Sequence, residues 1–324
     1  MIFIDFLQRA IRFSTIYLFG ATGETLTEKS GHLNLGTPGI MCIGAVGGVL
    51  GESLYLKSLA NIADINGFLA VLIPILMSVL FSALAGALFS FFTVTLRCNQ
   101  NVTGLTITTF GIGFNMFYMT GIDKTNFNVA ANYFRQSFPC AADAGWFGTL
   151  FLSYGALVYL AIAVAIIVAV LIRKTRIGLN LRAVSENPAT ADAAGLSVSK
   201  YRYTATIIGA AISGLGGLFF IMDYLGGNVE YQIEAFGWVA VALVIFSIWR
   251  SDLGILGSIL FGALYILPER LANFGVTVSF AEKELIKLIP YVVTLIVLIV
   301  TSILNKKETQ PPQSLGVNYF REER

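Results

Sequence analysis

From Phe68 to Thr95 the chain runs 28 residues without one acidic or basic side chain. A helix of that length rises about 42 Å, against a bilayer hydrocarbon core of ~30 Å. Lipid is its natural solvent, and tilt or projection from the bilayer absorbs the excess length. The pattern recurs: mostly apolar stretches lie near 9–25, 37–52, 68–95, 101–120, 149–172, 202–222, 236–249, 252–268 and 286–304. This predicts an all-α, polytopic transmembrane helical bundle of about nine spans, within a range of about eight to ten. The second, seventh and eighth stretches are short. Gly237, Gly254, Gly257 and Gly262 in the last two predict close packing or broken helix. Composition agrees, since 12% of residues are charged where a soluble domain carries about 25%.

Lysine and arginine set the orientation. Arg173, Lys174, Arg176, Arg182, Lys200 and Arg202 crowd residues 173–202 and place that segment in the cytoplasm. The loop from Met222 to Glu234 holds three acids and no lysine or arginine, and faces outward. Arg97, Arg250, Lys306 and Lys307 then fall inside, 121–148 outside, and 24–36 at or below the cytoplasmic half of the membrane. Alternation starts the N-terminus outside, a placement that Arg9 and Arg12 weigh against. Asp5, Arg9 and Arg12 also interrupt the first apolar run, which is not a secretory signal.

Small residues recur at helix-contact spacing, as at Gly44–Gly48, Ser82–Gly86, Gly209–Ser213 and Ser213–Gly217. The pieces S-A-L-A-G-A-L-F (82–89) and S-G-L-G-G-L-F-F (213–220) look alike and run in opposite directions in this topology. Either an inverted repeat or chance likeness of small and apolar letters produces this. Beyond a transmembrane domain at 1–304, residues 305–324 form a polar, Pro-Pro-containing tail, expected to be flexible and cytoplasmic.

Several chemistries are disfavoured. Cys42, Cys98 and Cys140 lie far apart, without the spacing of a metal site or a disulfide framework. A net charge of +2 is too small to suggest nucleic acid. There is no phosphate-binding G-x-x-x-x-G-K-[ST] loop, and a single histidine leaves no Ser-His-Asp arrangement and no zinc pattern. The chain is not expected to be an enzyme or to hold a cofactor.

Two segments stand out. The stretch T-E-K-S-G-H-L-N-L-G-T-P-G, Thr27 to Gly39, interrupts the apolar pattern. Its Gly31, Gly36, Pro38 and Gly39 work against a continuous helix and predict a break near 31–39. The second segment, 177–202, is long, mixed in character and cytoplasmic. Asn187 can cap a helix, Pro188 suits its first position, Ala189–Ala194 favour it and Gly195 stops it. That gives a helix of about two turns under the membrane. It is either a solvated connector or an element that docks on a cytoplasmic partner and receives force.

At these two places the chain resembles the membrane permeases of ATP-binding-cassette importers, in the group that moves branched-chain amino acids and simple sugars. The nearest likeness is to the shorter permease of nucleoside importers. E-K-S-G-H-L-N-L-G-T-P-G-I-M-C-I-G-A matches the signature E-[KR]-S-G-x-x-N-L-G-x-E-G-x-M-x-x-G-A, and L-R-A-V-S-E-N-P-A-T-A-D-A-A-G matches the coupling segment L-R-A-V-G-E-N-P-x-A-A-x-x-A-G. N-Q-N-V-T-G-L-T-I (99–107) and G-W-V-A-V-A-L-V-I-F (237–246) fit more modestly, and the likeness spans about Ala10 to Leu304. Pro38 replaces the family's acidic residue, which bears on the substrate or on the shape of the break, and Ser185 replaces a glycine.

The resemblance implies a permease in the bacterial inner membrane, surrounded by lipid. Its partners would be ATP-binding subunits, a second and different permease chain, and an extracytoplasmic substrate-binding lipoprotein. Arg182, Glu186, Asn187, Pro188 and Gly195 would couple to the ATPase. Broken helices in transporters border the solute path, so Asn34, Thr37, His32 and Asn115 are the pathway candidates. For each an internal role is open: a cap for Asn34, satisfaction at the cytoplasmic interface for His32, interhelical bonding for Asn115. Glu24 and Glu28 lie either in the membrane zone, where ionisable groups are costly, or, for Glu28 with Lys29, at the surface. The expected cargo is nucleosides or related small polar solutes. The alternatives are sugars or branched-chain amino acids on the same architecture, and an ion-coupled transporter, which the scarcity of intramembrane carboxylates after residue 100 disfavours.

Overall fold

The structure, a computed structural model, describes residues 2–141, 143–229, 232–271, 279–304 and 310–321. Glu230, Lys306 and Lys307, which entered the charge reading, lie outside the described residues. Among those described, secondary structure is entirely helical. In order, the helices are α1 (Ile2–Glu28), α2 (Thr37–Ser58), α3 (Gly67–Ser90), α4 (Gln100–Gly121) and α5 (Phe127–Phe134). There follow α6 (Ala156–Lys174), α7 (Arg176–Glu186), α8 (Pro188–Ala193), α9 (Val198–Phe219) and α10 (Ile233–Phe246). The last three are α11 (Ser251–Arg270), α12 (Phe280–Lys287) and α13 (Ile289–Leu304).

Five described segments are long and apolar enough to cross a bilayer: 37–58, 67–95, 156–174, 198–224 and 251–270. Among the described residues, length and composition single out these five as candidate spans and do not confirm the expected count of about nine. The other helices fall short for local reasons. Helix α1 carries Asp5, Arg9, Arg12, Glu24 and Glu28, α4 is rich in Thr, Asn and Gln, and α10 and α13 have only 14 and 16 residues. The protein is nonetheless multi-pass.

Helix ends follow the sequence. The Asn66 side chain accepts the Phe68 amide (3.0 Å) to start α3, and Asn99 accepts that of Val102 (3.1 Å) to start α4. At their far ends α3 and α9 finish alike, each in one π-helical turn, Phe91–Thr95 and Phe220–Tyr224. Each is followed by a left-handed residue, Arg97 (φ 57°) and Gly226 (φ 69°). The two look-alike pieces 82–89 and 213–220 also meet, Gly214 lying against Ser82 Cβ; on either side of that contact Ser78 Oγ donates to the Gly214 carbonyl (3.2 Å) and Gly86 lies against Ala210 and Thr206. The helices therefore pack antiparallel.

Helix α9 is the central post, in contact with α1, α2 and α3. A methyl group on Gly44 would lie 2.6 Å from the Gly214 carbonyl oxygen, and one on Gly86 3.0 Å from that of Thr206. Backbones approach this closely only where side chains are absent, which is how helices associate in lipid without a hydrophobic drive between them.

The basic N-terminus also finds its explanation. Arg9 pairs with Asp5 (3.1 Å) within α1, and Arg12 pairs with buried Asp223 (2.8 Å) at the far end of α9. Arg12 thus sits beside the loop read as outward-facing, with its charge neutralised there.

Candidate functional site

The break is real but shifted. Helix α1 ends at Glu28 and α2 begins at Thr37, so irregular backbone covers Lys29–Gly36. Gly31 supplies the left-handed turn (φ 85°) and Gly36 precedes the first helical residue. Pro38 and Gly39, expected to break the helix, lie inside the first turn of α2. A proline there loses nothing, because that N–H has no helical acceptor. Gly39 is small for a different reason: a methyl group on it would lie 2.5 Å from Thr108 Cα, where α2 and α4 touch.

Irregular backbone at membrane depth must find internal partners, and distant side chains supply them. Fully buried Glu24 accepts the Asn34 amide (3.2 Å) and the Thr37 hydroxyl (2.5 Å). The Asn34 side chain accepts the Gly36 amide (2.9 Å), a local turn of the kind Asn favours. Gln100 at the start of α4 accepts the Leu33 amide (2.9 Å), and Thr108 donates to the Leu35 carbonyl (2.8 Å). One turn below Glu24, buried Glu28 accepts a hydrogen bond from the Trp249 indole. Both carboxyls are interior, so the surface alternative for Glu28 falls away.

His32 is 0% exposed. Its Nδ1 lies 3.0 Å from Thr206 Oγ1, its ring meets Phe89 edge-on, and its Nε2 has no hydrogen-bond partner among the described residues. Thr206 is eight residues into α9, about 12 Å along it. Asn115 is also fully buried, on the α4 face that carries Gly104, Thr108 and Gly111 against the break and α2. The structure therefore brings His32, Asn34 and Thr37 together at one junction and sets Asn115 on the neighbouring helix. All four are sequestered, and Asn34 and Thr37 already hold the break.

The bend at 176–195 is helical. Residues 176–186 form α7, which the sequence reading did not assign, and α8 follows at once. Asn187 caps α8 by accepting the Thr190 amide (3.0 Å), Pro188 opens it, and Gly195 closes it with φ 86°. Arg182, Glu186, Asn187 and Gly195 are exposed, and Pro188 is half-buried. Ser185, in contrast, is buried against the break. A methyl group on Gly31 would lie 3.4 Å from Ser185 Cα and 3.3 Å from Arg202 Nη2.

The tail, expected to be flexible, is held at 310–321. The Ser314 amide and hydroxyl both donate to the Ser185 carbonyl (2.9 and 2.6 Å), and the Gly316 amide donates to the Gly31 carbonyl (3.2 Å). Asn318 accepts from Gln100 (3.0 Å) and donates to the Arg97 carbonyl (2.7 Å). Tyr319 donates to Asp192 in α8 (2.8 Å). This strap ties the break, the start of α4 and the bend into one unit. The signal in the sequence was Leu315, Val317, Tyr319 and Phe320, four apolar or aromatic residues in an otherwise polar tail.

Comparison with known proteins bears on this arrangement. The profile of the family described as branched-chain amino acid transport system / permease component matches residues 6–298. The nucleoside ABC transporter permease protein NupC of Lactococcus lactis is 32% identical over 322 residues, 95% of this chain and 94% of its own. The putative glucose ABC transporter permease protein TsgC13 of Haloferax volcanii is 30% identical over 82% of this chain and 77% of its own. The guanosine ABC transporter permease protein NupQ of Bacillus subtilis is 28% identical over 94% and 92%. No solved structure matches significantly. With Gly31 of the E-K-S-G motif packed on Ser185, next to the E-N-P motif, in a multi-pass bundle, the chain belongs to the branched-chain amino acid transport system permease family, as a permease subunit of the ABC importer class.

Proposed function

We propose that this permease works in a bacterial inner membrane and imports nucleosides, with energy from separate ATP-binding subunits. The observation that supports this most strongly is the contact between bend and break: Ser185 packs on Gly31, and both are tied to Ser314. Force delivered to α8 has a short route to the break at Lys29–Gly36. The exposed Arg182, Glu186, Asn187 and Gly195, with Pro188 beside them, form the surface for the ATPase. Closure of the ATP-binding subunits would push α8, shift Ser185 against Gly31 and move α2 relative to α1.

Asn34, Thr37, His32 and Asn115 are buried in this conformation. Their proposed role at the solute path therefore belongs to a second state, in which the junction opens. An amide or imidazole released there can donate to and accept from a base or ribose. A second permease chain and an extracytoplasmic binding lipoprotein complete the proposed assembly. Nucleoside cargo follows from the likeness to NupC and NupQ, over 94% or more of this chain in both cases. Uptake of labelled guanosine and uridine, compared with labelled glucose, in cells with and without the chain tests the cargo. Nucleoside uptake lost on deletion is the expected result. Loss of glucose uptake alone would favour the sugar reading that TsgC13 suggests. Glu186→Ala with Asn187→Ala should abolish substrate-stimulated ATP hydrolysis while leaving insertion intact, and unchanged stimulation would count against docking.

A further inference from the structure

Where the strap crosses the bend it encloses a cavity of about 250 Å³. Three arginines line it, Arg97 before α4, Arg202 in the first turns of α9, and Arg321 in the strap, against one acid, Asp192 of α8. Asp192 is already engaged: Arg321 Nε lies 3.2 Å from its Oδ2, and the Tyr319 hydroxyl donates to the same oxygen (2.8 Å). Formal charge in the lining is thus +2, three cations less one anion. Ser197 and Ser199 add hydroxyls at the N-terminus of the 22-residue α9, whose leading amides favour an anion.

Arg202 is the decisive residue. It is only 2% exposed, yet one guanidinium nitrogen alone has a partner, Nη1 donating to the Val317 carbonyl (3.1 Å). Among the described residues its Nε and Nη2 have no hydrogen-bond partner. A buried guanidinium with two idle donors is costly. An oxyanion relieves that cost, since a guanidinium fork suits two oxygens of one phosphoryl group. Arg97 also stacks on Phe320 of the strap (4.9 Å).

We propose that this cavity binds a phosphoryl-bearing anion on the cytoplasmic side and, in doing so, fastens the strap to α8. Free phosphate and the headgroup of an anionic lipid share that chemistry. The site is independent of which solute is imported.

The test uses the full-length chain in lipid nanodiscs, with thermal unfolding as readout. In one arm, inorganic phosphate is titrated in pure phosphatidylcholine against chloride at equal ionic strength. In the other, phosphatidylglycerol replaces part of the phosphatidylcholine without phosphate. The paired variant is Arg97→Gln with Arg321→Gln, both exposed positions, so that buried Arg202 and the fold are left in place. Saturable stabilisation by phosphate, with apparent affinity about tenfold or more weaker in the variant, identifies a free anion. Stabilisation by phosphatidylglycerol alone, lost in the variant, identifies a lipid headgroup. Wild type and variant responding equally to both, or wild type responding to neither, would overturn the proposal.

Discussion

Glu24→Ala tests the account of the break at its centre. Glu24 is 1% exposed and takes two hydrogen bonds, from the Asn34 amide at 3.2 Å and from the Thr37 hydroxyl at 2.5 Å. Without the carboxyl, Thr37 can turn to the Asn34 carbonyl, already 3.3 Å away, and recover part of its loss. The Asn34 amide is left buried without its acceptor, at about 1–3 kcal/mol. Removal of the side chain also leaves a cavity, which brings the total to about 2–5 kcal/mol. Glu24→Gln keeps an acceptor for the amide and offers its NH₂ to Thr37, so its cost is about 1 kcal/mol or less. Hydrogen exchange of the chain in nanodiscs resolves the effect by position. Amides 33–36 should exchange roughly 30-fold or more faster in the alanine variant and close to wild type in the glutamine variant. If residues 33–36 exchange at the wild-type rate in Glu24→Ala, Glu24 does not hold the break.

Four further outcomes follow from the packing. Gly39→Ala forces a methyl group to 2.5 Å from Thr108 Cα and should cost about 1–3 kcal/mol or abolish folded yield. Gly113→Ala, with nothing within 4 Å, should be tolerated, as side-by-side thermal unfolding would show. Pro38→Ala should leave α2 intact and change stability by about 1 kcal/mol or less, because a proline at the helix start acts mainly on the unfolded chain; a loss of several kcal/mol would mean that the ring itself holds the junction. Tyr319→Phe removes the bond to Asp192 and should speed protease cleavage within 310–321 in the purified subunit, whereas unaltered cleavage would show that Tyr319 does not anchor the strap.

Legibility in the sequence followed interaction range. Helix α8 was readable to the residue, because its cap, its opening proline and its closing glycine are neighbours in the chain. The apolar runs located the long helices, and length and composition mark five described ones as candidate spans. Gly31 and Gly36 marked the break, while Pro38 and Gly39 misled. Proline both ends helices and begins them, and a glycine demanded by a neighbouring backbone looks like one demanded by a turn. The partners that hold the break were not readable: Gln100 meets Leu33 across 67 residues and Thr108 meets Leu35 across 73, separations without a periodic signature. Asn34 had two open roles, and its bond to the Gly36 amide assigns it a structural one in this conformation. The strap was misread because its apolar residues are too few to form a run.

The whole scheme depends on the bend facing the cytoplasm, and two native cysteines test that directly. Cys98 is exposed beside the strap, where Asn318 donates to its carbonyl (3.0 Å), and Cys140 is exposed in the loop between α5 and α6, while Cys42 is buried. A membrane-impermeant maleimide applied to intact cells, with Cys98→Ser and Cys140→Ser variants to assign each signal, should label Cys140 at once and Cys98 only after the membrane is permeabilised. Labelling of Cys98 in intact cells would put the bend, the break and the strap on the outer side, out of reach of any ATP-driven partner.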